Sequence, residues 1–370
     1  MPGRAPFQQP ENTVTAPTAD REHAIEIEGV WKIFGDRADA ALADIRATGI
    51  GKKAVLEKHG CVVGVADASM TIRPGEIFCI MGLSGSGKST LVRHINRLLE
   101  PTAGRIVVNG EDIMAMPPDV LRRYRNEHIA MVFQNFALMP HRSVVDNVAM
   151  PLEIRGVNKN DRIEIAERTL DLVELTGWGN KFAHELSGGM QQRVGLARSL
   201  AADPEILLMD EPFSALDPLI RRQLQNEFMK LAAQMNKTTV FITHDLDEAV
   251  RIGQRIAIMR DGRVVQIGTP EQIVMHPADD YVADFVAGIS RLKVVRAHAV
   301  MQEIGAFEAA NGSIDAGAKT FAEDADLSQM IEHAILDDRP VVVVDGTGAR
   351  LGAITRADLL RTVIEGTETS

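Results

Sequence analysis

The chain has 370 residues, long enough for one large α/β domain and something smaller, because single hydrophobic cores rarely grow past roughly 250 to 300 residues. With 45% hydrophobic residues it is globular, while a formal net charge of -11 and only 4% aromatic residues argue against a nucleic-acid partner. Two cysteines give no disulfide framework and fit a reducing compartment; no apolar run approaches the length of about eighteen residues that spans a bilayer, and no signal-peptide core opens the chain, so membrane attachment is expected only through a partner.

Residues 1–22, with Pro2, Pro6, Pro10 and Pro17 among Gln, Thr and Ala, hold too little apolar surface to offset the entropy of ordering and read as a disordered tail. A first domain is expected over 23–276. It opens with Ile25, Ile27 and Val30-Trp31-Lys32-Ile33-Phe34-Gly35, a strand that ends in an aromatic and a glycine. The Phe34 ring, and less readily that of Trp31, can stack on a base or pack in the core. An insertion over 36–60 follows, helical over Ala38–Ala47 and Lys52–His59 and broken by Gly49-Ile50-Gly51. Val65–Ile72 alternates apolar and polar residues as a half-exposed strand does.

Ile77-Phe78-Cys79-Ile80-Met81 is a short apolar run suited to a buried parallel strand, and Cys79 within it reads as packing. Directly after it, Gly82-Leu83-Ser84-Gly85-Ser86-Gly87-Lys88-Ser89-Thr90 fits the phosphate loop G-x-x-x-x-G-K-[ST] at every fixed position. The glycines let successive N–H groups turn inward around an anion, Lys88 adds a charge for the β- and γ-phosphates, and Ser89 offers a hydroxyl to Mg2+. A helix is expected over Lys88–Leu99, with Leu91, Ile95 and Leu98 on one stripe and its positive end at the phosphate site. Beyond it, Arg105–Val108 and Asn109-Gly110 predict an antiparallel hairpin, hence a sheet with parallel and antiparallel parts.

Ile129–Phe133 reads as the next buried strand and ends at Gln134, where open α/β sheets bind ligands. Asp161–Leu175 is an amphipathic helix with Ile163, Ala166, Leu170 and Val173 on one face and Gly177 beyond its end. Ser187 stands where a helix N-cap should, so that Ser187, Gly188 and Gly189 make a second anion site at a helix N-terminus. Ile206–Met209 ends in Asp210 and Glu211. Strand alternation points the two carboxylates in different directions, so Asp210 can hold Mg2+ while Glu211 faces an attacking water. Val240–Thr243 ends likewise in His244.

After Pro277 these motifs stop. The span 277–320 has weak periodicity and reads as a linker with some helix. Over 321–366 a helix (Leu327–Leu336), a hairpin with a glycine turn (Val341–Thr355) and a second helix (Arg356–Glu365) are expected. From Phe321 to Ser370 ten acidic and four basic residues give a net of -6, more than half the charge of the whole chain. Such a tail is either a solvated acidic surface or a segment whose repulsion from an anionic membrane responds to ionic strength.

Taken together, the phosphate loop, Gln134, Leu186-Ser187-Gly188-Gly189-Met190-Gln191, Asp210-Glu211 and His244, in this order, resemble an ABC transporter ATPase over roughly Ile25–His276. The resemblance implies an α/β P-loop ABC fold: a mixed sheet with a RecA-like core, an antiparallel β subdomain, and a helical subdomain over about 135–200. It implies ATP and Mg2+ as cofactors and a head-to-tail homodimer in which the Ser187-Gly188-Gly189 helix end of one subunit, with Gln191, closes on ATP held by Lys88 of the other. On these positions Phe34, Gly82, Ser84, Gly85, Ser86, Gly87, Lys88, Ser89 and Thr90 would contact nucleotide, and Ser89, Gln134 and Asp210 the metal. Glu211 would be the general base, His244 would touch the γ-phosphate, and Asp217 would couple the two sites, roles suited to phosphoryl transfer. A strand-end Gln or His alone is usually a polar cap; four such positions in family order outweigh that reading.

The finer resemblance is to the ATPases of glycine betaine, proline and choline importers, carried by Val30–Gly35, the helical insertion 36–60, Glu76–Gly85, Val132–His141 and Phe213–Arg221. It implies transmembrane permease subunits, an extracytoplasmic solute-binding protein reached through the permease, and a peripheral place on the cytoplasmic face of the inner membrane. An importer of another small solute such as an amino acid is the alternative, and a soluble ABC ATPase acting on DNA or ribosomes a more distant one. The span 321–366 is similar to a single CBS repeat, although such repeats come in tandem pairs. Its nucleotide contacts would fall on Thr355 and Asp358, for which a helix cap is the plain alternative.

Overall fold

The computed structural model describes residues 22–134, 137–214, 216–315 and 317–364. Residues 1–21, where the disordered tail is expected, and Asn135, Phe136 and Ala215 within the motifs above lie outside the described residues. The chain divides into two compact units, one running to Asp245 and including Ile252–Val264, the other comprising Leu246–Arg251 and the chain from Val265.

The first unit opens with β1 (Ile25–Phe34). The insertion is two short helices, α1 (Ala38–Thr48) and α2 (Lys52–His59), each ended by a left-handed glycine. Ala41, Leu42 and Val55 bury against Trp31, Ile33, Cys61 and Val63, which makes Trp31 a core residue. Asp44 Oδ2 accepts from Lys58 at 2.6 Å and lies 2.9 Å from His59 Nε2, tying α1 to α2. β2 (Val62–Ile72) pairs antiparallel with β1 and begins at Val62 rather than Val65.

β3 (Ile77–Met81) leads through the glycine loop into α3 (Lys88–Ile95). This helix stops short of the expected Leu99, because Asn96 caps it and Arg97 turns left-handed at φ 50°. Leu91 and Ile95 are buried, whereas Leu98 is 52% exposed and off the stripe. β4 (Ala103–Val108) and β5 (Glu111–Asp112) form the hairpin, with Asn109 and Gly110 at φ 51° and 81° as a two-residue turn requires. The antiparallel strands make a four-stranded sheet of their own, ordered β2-β1-β4-β5.

α4 (Pro118–His128) leads to β6 (Ile129–Val132), which is an edge strand and only partly buried rather than a core strand. Three helices then pack on one another: α5 (Val144–Ile154), α6 (Lys159–Leu172) and α7 (Gly188–Ala201). Ser143 and Asn158 cap the first two through Asp146 N and Asp161 N, each satisfying an otherwise unpaired N–H. α6 stops at Leu172 rather than at the expected Leu175, with Val173 as its C-cap and the left-handed Glu174 just beyond. β7 (Ile206–Asp210) is buried throughout. α8 (Pro218–Met235), β8 (Thr238–Thr243), α9 (Leu246–Ile252), β9 (Arg255–Arg260) and β10 (Arg263–Gly268) follow. The second sheet runs β10-β9-β3-β8-β7-β6, with β9, β3, β8, β7 and β6 all parallel, and β3, β7 and β8 are buried on both faces.

In the second unit, α10 (Pro270–Met275), α11 (Asp280–Val286), α12 (Ala297–Val300), β11 (Gln302–Glu303) and α13 (Ile304–Asn311) precede β12 (Thr320–Ala322). The span 277–320, expected as a linker, therefore carries short elements, and its Val295 and Ala297 join a core with Leu327, Met330, Val341, Val343 and Ile354. α14 (Leu327–Leu336), β13 (Val341–Val344), β14 (Arg350–Ile354) and α15 (Arg356–Ile364) complete it. The sheet is ordered β11-β14-β13-β12, with β12 parallel to β13 and β13 antiparallel to β14. Among the described residues no helix is long and apolar enough to cross a membrane.

Candidate functional site

In the parallel sheet Met81 pairs with Thr243, Asp210 with Ile242 and Val132 with Met209. Parallel strands in this register release their following residues along one edge: Gly82–Thr90 after β3, His244 after β8, Glu211 after β7 and Gln134 after β6. Four motifs far apart in sequence thus share the carboxyl edge of one sheet.

The loop after β3 is built for a close approach. Gly82 and Gly87 have φ of 149° and 99°. A Cβ on Gly82 would meet Met259 O at 2.2 Å, and one on Gly87 would meet Gly64 O at 2.4 Å, so neither position admits a side chain. The back of the loop is pinned, with Gly262 N donating to Ser86 O at 2.9 Å and Ala66 N to Gly262 O at 2.8 Å. Leu83, Ser84 and Gly85 form an exposed rim, and Thr90 is half-buried. Among the described residues Ser86 Oγ is buried without a hydrogen-bond partner, and Lys88 Nζ is held by two neutral carbonyls, Gly82 O at 2.7 Å and Leu83 O at 3.0 Å. Burial pushes the Lys88 ammonium down from its ordinary range, partly opposed by the Glu211 and Asp210 carboxylates. A buried cation, an orphaned hydroxyl and a cradle that excludes Cβ atoms fit a phosphate chain.

Ser89 Oγ donates to Asp210 Oδ1 at 2.7 Å, while Arg93 donates to Asp210 Oδ2 at 3.3 Å. Gln134 Nε2 donates to Ser214 Oγ at 3.3 Å, leaving the amide oxygen of Gln134 outside that contact. Hydroxyl, carboxylate and amide oxygens are the hard donors Mg2+ takes alongside water and phosphate, so Ser89, Asp210 and Gln134 fit that ion.

Glu211 is separated from Asp210 by a left-handed turn at φ 48°, uncommon for a residue with a Cβ, rather than by strand alternation. Its Oε2 lies 3.0 Å from His244 Nδ1. A carboxylate can only accept, so Nδ1 carries the proton. Ser214 Oγ donates to Glu211 O at 3.0 Å and supports the same corner. Phe34 is 40% exposed at the end of β1, with Lys32 Nζ 5.2 Å from its ring centroid, so it is not a core residue and its ring remains open to a base.

Ser187 is the N-cap of α7, accepting from Met190 N at 3.3 Å, and Gly188 and Gly189 are its first residues. A Cβ on Gly189 would meet Ile220 Cγ2 at 3.0 Å, which sets the start of α7 against the start of α8. Asp217 caps α8 through Leu219 N and Ile220 N. The Gln191 amide donates inward to Ala183 O at 2.9 Å and Leu186 O at 3.2 Å, holding the loop before α7 rather than presenting itself to a ligand.

Three residues escape a reading by motif: Arg93, Ser214 and Gln192. Arg93 lies one helical turn after Ser89, and that i,i+4 spacing is a signal that could have found it. Nothing in the local sequence marks Gln192, whose partner Pro212 arrives from another element, or the contact that Ser214 accepts from Gln134, eighty residues away, although Ser214 also bonds locally to Glu211 O.

The family model for ABC transporters matches residues 65–214. The ATP-binding protein ProV of the glycine betaine/proline betaine transport system of Escherichia coli is 54% identical over 273 residues, covering 74% of this chain and 68% of that protein. The ATP-binding protein TmoW of the trimethylamine N-oxide transport system of Ruegeria pomeroyi is 45% identical over 345 residues, covering 91% of this chain and 96% of that protein. Among solved structures, the dimeric ATP-binding cassette MJ0796 in a post-hydrolysis state bound to ADP and Pi gives a TM-score of 0.57 at 31% identity, covering 66% of this chain and 98% of that one.

Proposed function

The chain belongs to the ATP-binding subunits of ABC transporters, in the group that serves glycine betaine and related importers, and from that premise we propose that it hydrolyses ATP to drive uptake of a small methylated amine. The observation that carries the reading is the shared carboxyl edge, where phosphate loop, Asp210, Glu211, His244 and Gln134 converge. Lys88 and the loop N–H groups bind and orient the phosphates, and Phe34 stacks on the base. Glu211 takes the proton of a water as it attacks the γ-phosphorus, and the bond to the β-phosphate oxygen breaks to leave ADP and phosphate. His244 holds one oxygen of Glu211, which fixes the carboxylate for its task. Ser89, Asp210 and Gln134 would hold Mg2+, which would supply positive charge to offset the charge of the phosphates.

The Ser187-Gly188-Gly189 end of α7 serves the nucleotide of a second copy in a head-to-tail homodimer, a reading supported by the dimeric cassette that the fold resembles. Asp217, beside that end, lies where it can couple the two sites. Permease subunits, reached at the Gln134 segment, and an extracytoplasmic solute-binding protein complete the importer, with this subunit peripheral on its cytoplasmic face. β12, α14, β13, β14 and α15 support reading the C-terminal unit as one CBS-like repeat. Thr355 and Asp358 make a reciprocal cap at the start of α15, with Thr355 Oγ1 donating to Asp358 Oδ2 at 2.7 Å and Asp358 N to Thr355 Oγ1 at 3.1 Å, which favours the helix-cap role for both.

Among solutes, trimethylamine N-oxide stands beside glycine betaine, because the match to its transport ATPase extends through the C-terminal unit. The test is to reconstitute the chain with its membrane subunits and binding protein and to measure which solute stimulates ATP hydrolysis. Stimulation by neither of these amines overturns the substrate class; absence of ATP hydrolysis overturns the reading itself.

A further inference from the structure

Gln191 and Gln192 are neighbours on α7 with opposite duties. The amide of Gln191 holds the loop before the helix, whereas Gln192 is 2% exposed and its Nε2 donates to Pro212 O, the carbonyl next after Glu211. The corner it grips is the strained one: Glu211 sits at φ 48°, and Ser214 Oγ holds its carbonyl from the other side. Gln192 Oε1 is buried and has no hydrogen-bond partner among the described residues. An amide kept in the interior with half its hydrogen-bonding capacity unused is retained for the contact it does make, since an apolar side chain would fill the space without an orphaned acceptor.

We infer that Gln192 is a positioning residue that couples the two nucleotide sites of a dimer through a single chain. The inference rests on the sandwich described above. The tip of α7 engages the nucleotide of the partner protomer, while Glu211 acts on the nucleotide bound to its own phosphate loop. The two lie on one rigid path: Ser187 caps α7, Gln192 stands five residues on, and its amide fixes the Glu211-Pro212 corner. Movement of α7 as its tip closes on nucleotide is passed to the backbone that aims the base of the opposite site. The left-handed turn makes this corner responsive, because a residue with a Cβ stays there only while its surroundings hold it.

The test uses the full chain with Gln192→Met, which keeps the length and loses the donor, and Gln192→Asn, which keeps the amide but withdraws it by one methylene. Each is made alone and in a Glu211→Gln background. ATP-dependent dimerisation of Glu211→Gln itself reports whether the sandwich reading holds, independently of Gln192. Given that, the expected result is nucleotide affinity within about twofold of the parent, dimerisation retained, turnover down about tenfold, and the Hill coefficient for ATP falling from near 2, its limit for two sites, to near 1. A general packing defect would lower turnover and leave the Hill coefficient unchanged. Unchanged cooperativity in whichever variant folds, or loss of dimerisation in a variant that melts like the parent, overturns the inference.

Discussion

Glu211 and His244 leave neighbouring strands, β7 and β8, and meet with Oε2 and Nδ1 3.0 Å apart. The contact occupies one oxygen of the carboxylate and leaves the other for a water. Glu211→Gln keeps the shape and can still accept from the imidazole, but its amide cannot take a proton. Turnover is expected to fall about 10²- to 10⁴-fold while ATP affinity stays within a few-fold, and the ATP-bound dimer should accumulate on size exclusion with light scattering. Wild-type turnover in this variant would remove Glu211 as the base. His244→Ala should lower turnover in the same direction, by losing the orientation rather than the base.

Gly87 and Gly85 both have positive φ, 99° and 79°, yet only Gly87 is crowded: its Cβ would lie 2.4 Å from Gly64 O, while Gly85 faces open space. Gly85→Ala should therefore cost about 1–2 kcal/mol of backbone strain and weaken ATP binding moderately. Gly87→Ala adds a clash with main chain that cannot move aside, so ATP binding measured with a fluorescent analogue should be lost. Equal affinities for the two variants would mean that the loop relaxes freely and that Gly64 does not shape it.

How much of this could be read beforehand depends on how local the determinant is. β1, β3, α1, α2 and the Ser187 cap follow from adjacent residues: an aromatic-ended apolar run, glycine stops, a hydroxyl before a helix. The positions of Gln134, Asp210, Glu211 and His244 at strand ends were legible for the same reason. The end of α3 was not, because Leu98 continues the apolar period while the left-handed Arg97, which gives NH1 to Ile113 O and Met116 O, turns the chain away. Nor was the separate antiparallel sheet, since pairing of β1 with β4 is set by contacts about eighty residues apart. The segment 277–320 has elements too short for periodicity to register, and it is the burial of residues such as Val282, Val295, Ala297 and Phe307 that reveals its packing.

Ser89 and Asp210 share a hydrogen bond of 2.7 Å, and both are expected at the metal. Ser89→Ala and Asp210→Asn should each raise the Mg2+ concentration needed for ATP binding, and more so than they change binding without Mg2+. Because the residues are in contact, their effects should not add: the double variant is expected to fall short of the product by an interaction of about 0.5–3 kcal/mol. A double-mutant cycle read from Mg2+ titrations of nucleotide fluorescence checks this. Strict additivity would show that the hydroxyl and the carboxylate act on different ligands.

His94 offers the clearest pH dependence. It is fully buried on α3, with Nδ1 2.6 Å from Leu99 O; a carbonyl only accepts, so Nδ1 bears the proton and Nε2 is left bare, without a partner among the described residues. Burial holds this imidazole below its ordinary 6.5, despite the favourable Leu99 contact. The unfolded chain therefore takes up a proton near 6.5 while the folded chain does not. The stability His94 contributes is complete above that pH and declines as pH falls below it toward the folded value, by at most about 1.4 kcal/mol per pH unit. His94→Gln, whose amide can still donate to Leu99 O, should flatten the fall in unfolding free energy between about pH 7 and 5.5, measured by denaturant titration. Since α3 also carries Lys88, the wild type should lose nucleotide affinity over the same range more steeply than the variant. Parallel pH profiles for the two proteins would mean that protonation of His94 is accommodated in the fold.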